Sequence, residues 1–476
     1  IFIGIQIFNI TPNCPMKNPV HISNVFRVMP LFMASALTVF RLSAQSVSTV
    51  DYYLRGDSGY APLTIESTSL KYWSLTRDEY TAPESLPGAD AMVIIDRVNT
   101  NGSSTLQYAR GDIHKATTYY AIRATVNTEL NMTFPLSLVS DFSINSFSNY
   151  AYSPSNNAIK QLRLVAQTEN FLTVGGDMAL STDKYFTTRF ALFKSANLRV
   201  RGALVFDYNG GADAAGYHAF DMSDKTVSSP GELLSLNLGG LVSNNRAVYV
   251  TSANSITANF AFSDDSGVFK GGNFEGVFAT QDSVSSTANF SMNGSGVQSI
   301  TIYKAADAAE HGLSNIAGKN DMTIGEVAAI SGELIFNSAL AVNSVLLDGG
   351  TLKLAAPEGV GDFTINAGSL MYGGPLKTDN LTVAAVDEIK VVFSAEDLAS
   401  QRLVLIDYGY LADAFNPDTI FAAYDESGNR LGGTFSLEEF SGGSGSLVYA
   451  VPEPAAWAAI FGAVAVAAAL AGRRRK

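Results

Sequence analysis

The chain has 476 residues, with 31 Lys+Arg against 44 Asp+Glu and a formal net charge of −13. An acidic surface of this kind repels nucleic acid and anionic lipid, so nucleic acid is excluded as a partner class. Charged residues make up only 16% of the chain, and Gly, Ser, Thr, Asn and Ala fill the gaps, a composition that suits an all-β secreted protein and not a helical bundle.

The first residue is Ile, and Met16-Lys17 is a better initiator, so residues 1–15 are expected to be untranslated. Residues 16–44 read as a Sec-type signal peptide. Lys17 and Arg27 form its basic region, Val28 to Phe40 its apolar region, and Leu42-Ser43-Ala44 ends in a small residue at which cleavage is expected. The apolar run is too short to span a bilayer. Cys14 precedes Met16, so the mature chain is expected to hold no cysteine, which removes disulfides, thiolate metal sites and a Cys nucleophile. Without signal peptide and tail bases, 24 bases would face 44 acids, a net charge of −20.

Period-two alternation dominates the mature chain. It runs through Leu130, Met132, Phe134, Leu136 and Leu138, then Ile256, Ala258, Phe260 and Phe262. It returns in Leu352 with Leu354, Phe363 with Ile365, Leu381 with Val383, and Ile389, Val391 and Phe393. Glycine pairs punctuate the runs at 175–176, 210–211, 239–240, 271–272, 349–350 and 373–374, where tight turns are expected. From Leu346 onward apolar strand centres recur every seven to eleven residues, which suits a sandwich or a right-handed β-solenoid. An internal echo favours the solenoid: TANFAFSDDSGV from Thr257 is repeated as TANFSMNGSGV from Thr287, an offset of 30 residues. The expected division is a β-rich region over 45–250, solenoid repeats over 251–450, and a separate segment over 451–476.

Two stretches add a resemblance. Trp73 followed by YTAPESLPGADAMVIID, from Tyr80 to Asp96, resembles the opening coil of autotransporter-type passenger β-helices. VLLDGGTLKLA, from Val345 to Ala355, resembles the strand repeat of autotransporter-associated proteins. Residues 100–250 resemble no family, and their longer, more aromatic strands suit wider coils or a separate sandwich.

Chemistry-bearing motifs are weak. Gly56-Asp57-Ser58-Gly59 spells a serine-protease tetrapeptide, but no mature histidine precedes it, so it reads as a turn. His114, His218 and His311 share no metal-ligand spacing and are expected at the surface or in loops. Asp207, Asn209 and Asp213, with Asp221 and Asp224 beyond, surround the Gly210-Gly211 turn and form a weak calcium candidate without EF-hand spacing. Asp264-Asp265 is weaker still, and Asn131 opens a glycosylation sequon to which little meaning is attached. No catalytic residue is assigned, no cofactor is expected beyond that calcium, and the chain is read as a non-enzyme.

The end of the chain is the most informative segment. Val451, Pro452, Glu453 and Pro454 form an extended motif, followed by uncharged Ala455 to Gly472 and then Arg473, Arg474, Arg475 and Lys476. As a helix the uncharged run would span about 27 Å, enough to cross a bilayer core with the basic cluster left cytoplasmic. This order of motif, helix and basic cluster resembles the PEP-CTERM sorting signal of Gram-negative bacteria, and the preceding GSLVY matches the approach to that signal in many such proteins. The resemblance implies recognition by an exosortase-like processing enzyme, transient anchoring in the inner membrane, and a cell-surface or extracellular role tied to exopolysaccharide or biofilm. The alternatives are a polysaccharide-acting β-helix lyase or glycosidase, and a carbohydrate-binding adhesin that displays Trp73, Tyr119 and Tyr120 on a solvent-facing strip.

Overall fold

A computed structural model describes residues 49–451, apart from 55–62, 97–108, 146–158, 210–215, 223–232, 265–270 and shorter gaps. The signal-peptide reading with its cleavage at Ala44, the Gly56–Gly59 tetrapeptide, and the tail from Pro452 to Lys476 all lie outside the described residues. Within them the protein is all-β, with strands assembled largely in parallel.

The chain lays strands alternately into two sheets. The smaller takes Val50–Leu54, Ala91–Ile95, Ala121–Ala124, Phe142–Asn145, Met178–Thr182, Leu204–Tyr208 and Leu241–Asn244, each parallel to the next. Trp73–Ser74 adds an eighth strand to it, and the larger receives the remaining strands, up to Gly445–Ala450. Parallel neighbours need a long crossover. Here the crossover is the rest of one pass of the chain, so each strand meets the equivalent strand of the following pass.

The sequence echo is one such pass. Strand Thr257–Ser263 pairs with Thr287–Tyr303 so that Thr257 faces Thr287, Asn259 faces Asn289 and Phe260 faces Phe290. Equal residues therefore stack. The Asn289 amide donates to Asn259 Oδ1 at 2.9 Å, and its own Oδ1 accepts from the Glu326 N–H at 2.9 Å. Inside, Phe190 stacks on Phe220 at 5.1 Å, Phe260 on Phe290 at 5.1 Å, and Phe290 meets Phe336 edge-on at 5.4 Å. Each aromatic pair adds about 0.5–1.5 kcal/mol beyond its burial. Pairing crosses residue 250 without a break, since Val248–Ser252 lies between His218–Asp221 and Gly272–Thr280.

Later passes are shorter. Val327 pairs with Val345, Val345 with Phe363, and Phe363 with Leu381, 18 residues apart each time. The alternating residues expected to be apolar and inward are buried here, with Leu352, Leu354, Phe363, Ile365, Leu381, Val383, Ile389, Val391 and Phe393 all in one core. The 130–138 run is interrupted: Phe134 sits between strands Thr128–Met132 and Leu136–Leu138 and is 44% exposed.

Corners are set by glycine. Gly175, Gly202, Gly239 and Gly271 stack from pass to pass through N–H···O=C bonds of 2.8–3.0 Å to the pass before. A Cβ on Gly239 would overlap the Arg201 carbonyl. Asp141 and Asp177 continue the column, each accepting a backbone N–H of the next pass, from Asp177 at 2.9 Å and Ala203 at 2.8 Å. Gln298 then fills the corner, fully buried, bonded to both the N–H and the C=O of Leu241 at 2.9 Å.

Both ends of the stack switch to antiparallel pairing. Trp73–Ser74 runs antiparallel to Val50–Leu54, and Trp73 is buried edge-on to Tyr52 and Tyr119. Gly445–Ala450 runs antiparallel to both Arg402–Leu411 and Thr434–Glu439. Such pairing blunts a template to which further strands could add. Gly239→Val is expected to lower stability by about 1–3 kcal/mol or more through the clash at this corner, read as a fall in the urea midpoint.

Candidate functional site

The outward positions of strands Thr257–Ser263 and Thr287–Tyr303 carry mainly Thr, Ser and Asn, but one region of this sheet is covered. After strand Thr287–Tyr303 the chain makes a 3-10 helix, Ala305–His311. Ala305, Ala308, Leu313 and Ile316 pack down on Ala247, Val277 and Ala279, a second small core outside the sheet. This explains why strand Gly272–Thr280 is buried on consecutive residues from Gly276 to Thr280, where one-sided burial would alternate.

A cleft of about 530 Å³ opens at the edge of this cover, lined by Ser243, Asn245, Arg246, Ala247, Glu275, Ala309, Glu310, His311 and Gly312. Its geometry rests on three braces. The Tyr303 hydroxyl donates to Glu275 Oε2 at 2.9 Å, and the Tyr303 ring stacks on His311 with centroids 3.4 Å apart. Burial, then the bond to Glu275, push the Tyr303 phenol up to about 12, so it remains a donor at neutral pH. Ser243 Oγ accepts the Glu275 N–H at 2.7 Å. Arg246 donates to the Tyr208 hydroxyl at 3.0 Å and to the Gly216 carbonyl, with its guanidinium 4.8 Å from the Tyr208 ring centroid.

Two residues in the cleft have left-handed backbone. Asn245 at φ 68 is the only such non-glycine residue among those described, and its amide donates to the Tyr208 carbonyl at 2.9 Å. Gly312 at φ 78 ends the 3-10 helix, and a Cβ there would overlap the Arg246 guanidinium.

The sequence candidates fall elsewhere, with one exception. Asp207 accepts from the Asn209 amide at 3.1 Å and the Asn244 amide at 3.4 Å. Asp213, Asp224 and the Gly210-Gly211 turn lie outside the described residues, and Asp221 is buried in an ion pair with Arg189. No group of three or more His, Cys, Asp or Glu that could hold a metal occurs among the described residues. His114 and Asp265 lie outside them, and Asn131 falls within strand Thr128–Met132.

Two expectations are corrected. His218 is not at the surface: it is fully buried against Phe206, and neither ring nitrogen has a hydrogen-bond partner of normal geometry. Trp73 and Tyr119 do not form a solvent-facing strip either, because both belong to the core and Tyr120 is half-buried. The cleft is the exception. It uses His311, which the sequence offered without a partner, together with Glu275, Glu310 and Arg246, which no motif signalled. Among the described residues no helix is long and apolar enough to cross a membrane. No protein-family model matches the chain, and no curated protein matches it.

Burial pushes His218 down from the usual 6.5 to about 4, against a smaller upward pull from Asp207. The unfolded chain therefore binds the proton that the folded chain refuses, and stability falls as pH drops from 6.5 towards 4. The loss should reach on the order of 3 kcal/mol. Urea midpoints across that range should show it, and His218→Leu should flatten the slope. Gly312→Ala is expected to speed amide exchange over residues 305–313, with a global cost of about 1 kcal/mol or more, measured by hydrogen exchange.

Proposed function

We propose that the passes wind as a right-handed parallel β-solenoid, and that this body is an exported structural protein of the cell surface or extracellular matrix. The solenoid reading is supported by the equal-residue stacking of Thr257–Ser263 on Thr287–Tyr303 and by the 18-residue ladder through Val327, Val345, Phe363 and Leu381. Each pass leaves an apolar row that only the next pass can bury, which is how a solenoid holds together.

The sorting reading rests on the tail. Val451 is the last described residue, and its N–H donates to the Gln401 carbonyl at 2.9 Å. The ordered pairing thus continues to the residue immediately before Pro452-Glu453-Pro454. A folded passenger followed at once by such a motif, an apolar run and Arg473 to Lys476 suits a precursor held in the inner membrane and handed to an exosortase-like enzyme. The passenger would then associate with extracellular polysaccharide.

A second reading, an enzyme acting on polysaccharide, has one observation in its favour. Glu275 and Glu310 share a cleft with His311, residue types that perform general acid–base chemistry. New reducing ends or unsaturated products, lost in Glu275→Gln, would single it out.

Replacing Pro452, Glu453 and Pro454 by alanine keeps the apolar run and the basic cluster, so membrane insertion should persist while release fails. Fractionation of the native host with mass spectrometry of the C-terminus should find unprocessed chain in the inner membrane. Identical distribution of wild-type and triple-alanine chains, both retaining Arg473 to Lys476, would mean an ordinary anchor.

A further inference from the structure

The cleft beside the 3-10 helix has a chemistry that selects among ligands. We propose that it binds one unit of a non-acidic saccharide, neutral or amino-substituted, whose hydroxyl or ammonium groups donate to the carboxylates of Glu275 and Glu310. This deepens the polysaccharide association offered above, and rests on it only for the macromolecule that carries the sugar.

Size comes first. About 530 Å³ lies within the roughly 300–1,000 Å³ usual for small-ligand sites. Such sites are ordinarily lined by aromatic and large aliphatic side chains, and the described lining residues of this cleft include none. Its apolar surface comes from Ala247, Ala309 and the backbone of Gly312, while the remaining side chains are hydroxyl, amide, carboxylate, imidazole and guanidinium. A lipid or an aromatic metabolite would bury little apolar area here, whereas a polyhydroxylated ring finds acceptors on several sides.

Charge decides the class of sugar. Among the described lining residues Glu275 and Glu310 contribute two carboxylates against one guanidinium, that of Arg246, whose partners Tyr208 and Gly216 are neutral. Arg246 keeps its charge and offsets one carboxylate, so a uronate, sulfate or phosphate group would still meet a net negative lining that disfavours it. Hydroxyl donors meet the reverse. Hydrogen bonds to charged acceptors are the strong ones, and their angular preference orients a ring.

Preorganisation completes the case. The Tyr303 hydroxyl holds Oε2 of Glu275 and Ser243 Oγ holds its backbone N–H, so this carboxylate is fixed before a ligand arrives. Tyr303 covers one face of His311 and thereby ties the imidazole to the same carboxylate. A divalent cation is the less favoured occupant, because no group of three metal-ligating side chains forms among the described residues.

The test is calorimetric titration of the purified full chain with a panel of neutral hexose tetrasaccharides, a glucosamine tetramer and tetragalacturonate, with and without EDTA. Binding of a neutral or glucosamine tetramer, unchanged by EDTA and absent with tetragalacturonate, is expected. Glu275→Gln should weaken it roughly tenfold or more. Glu310→Gln and Ala309→Phe change exposed positions at the rim, so they should weaken binding without altering the thermal transition. Failure of every non-acidic probe, equal binding of tetragalacturonate, abolition by EDTA, or indifference to all three substitutions would overturn the proposal. Tail processing is scored separately in the triple-alanine fractionation, so loss of one reading leaves the other standing.

Discussion

Register between consecutive passes is the constraint on which everything else depends. Parallel strands bond through evenly spaced backbone groups, so a slip of one residue would turn every core side chain outward. Slippage is opposed here from both faces. Phe260 on Phe290 and Leu347 on Ile365 hold the inner row, while Asn259 on Asn289 and the acceptance of the Glu326 N–H hold the outer one. The outer amides matter because an apolar row alone tolerates a shift of two residues. An amide hydrogen-bonded between equivalent positions does not.

Corners translate that register around the section. Where Gly202 and Gly239 pass over the previous turn, a side chain would strike a carbonyl or the Asp177 carboxylate, so backbone approaches backbone directly. Asp141, Asp177 and Gln298 do the complementary work of receiving N–H groups that the bend would otherwise leave unpaired. In the 18-residue passes the bend falls within long strands, at Gly332 and Gly368, both with left-handed φ.

Departure from this regularity creates the cleft. The 3-10 helix Ala305–His311 does so by lying over Val277 and Ala279 and leaving a step at its C-terminal end. A loop anchored by its own small core is held more firmly than one merely resting on the surface, and this keeps Glu310 and His311 in place beside Glu275.

Alternation of apolar residues, paired glycines and the TANF echo were enough to establish an all-β chain, because a period of two and a 30-residue repeat are properties of local sequence. The low charge and the terminal motif are equally local. Tertiary structure alone decided the rest. Trp73 and Tyr119 are interior because they pack edge-on to each other in the core, with Tyr52 against Trp73, and His218 is interior because its strand is packed on both faces. Glu275, Arg246 and His311 meet because a strand, the bend after Leu241–Asn244 and the end of the 3-10 helix come together in space, although 29 and 36 residues separate Glu275 from Arg246 and His311 along the chain. A single sequence records which residues can face inward, but it does not record how wide each pass is, and that width determines which outward residues come together.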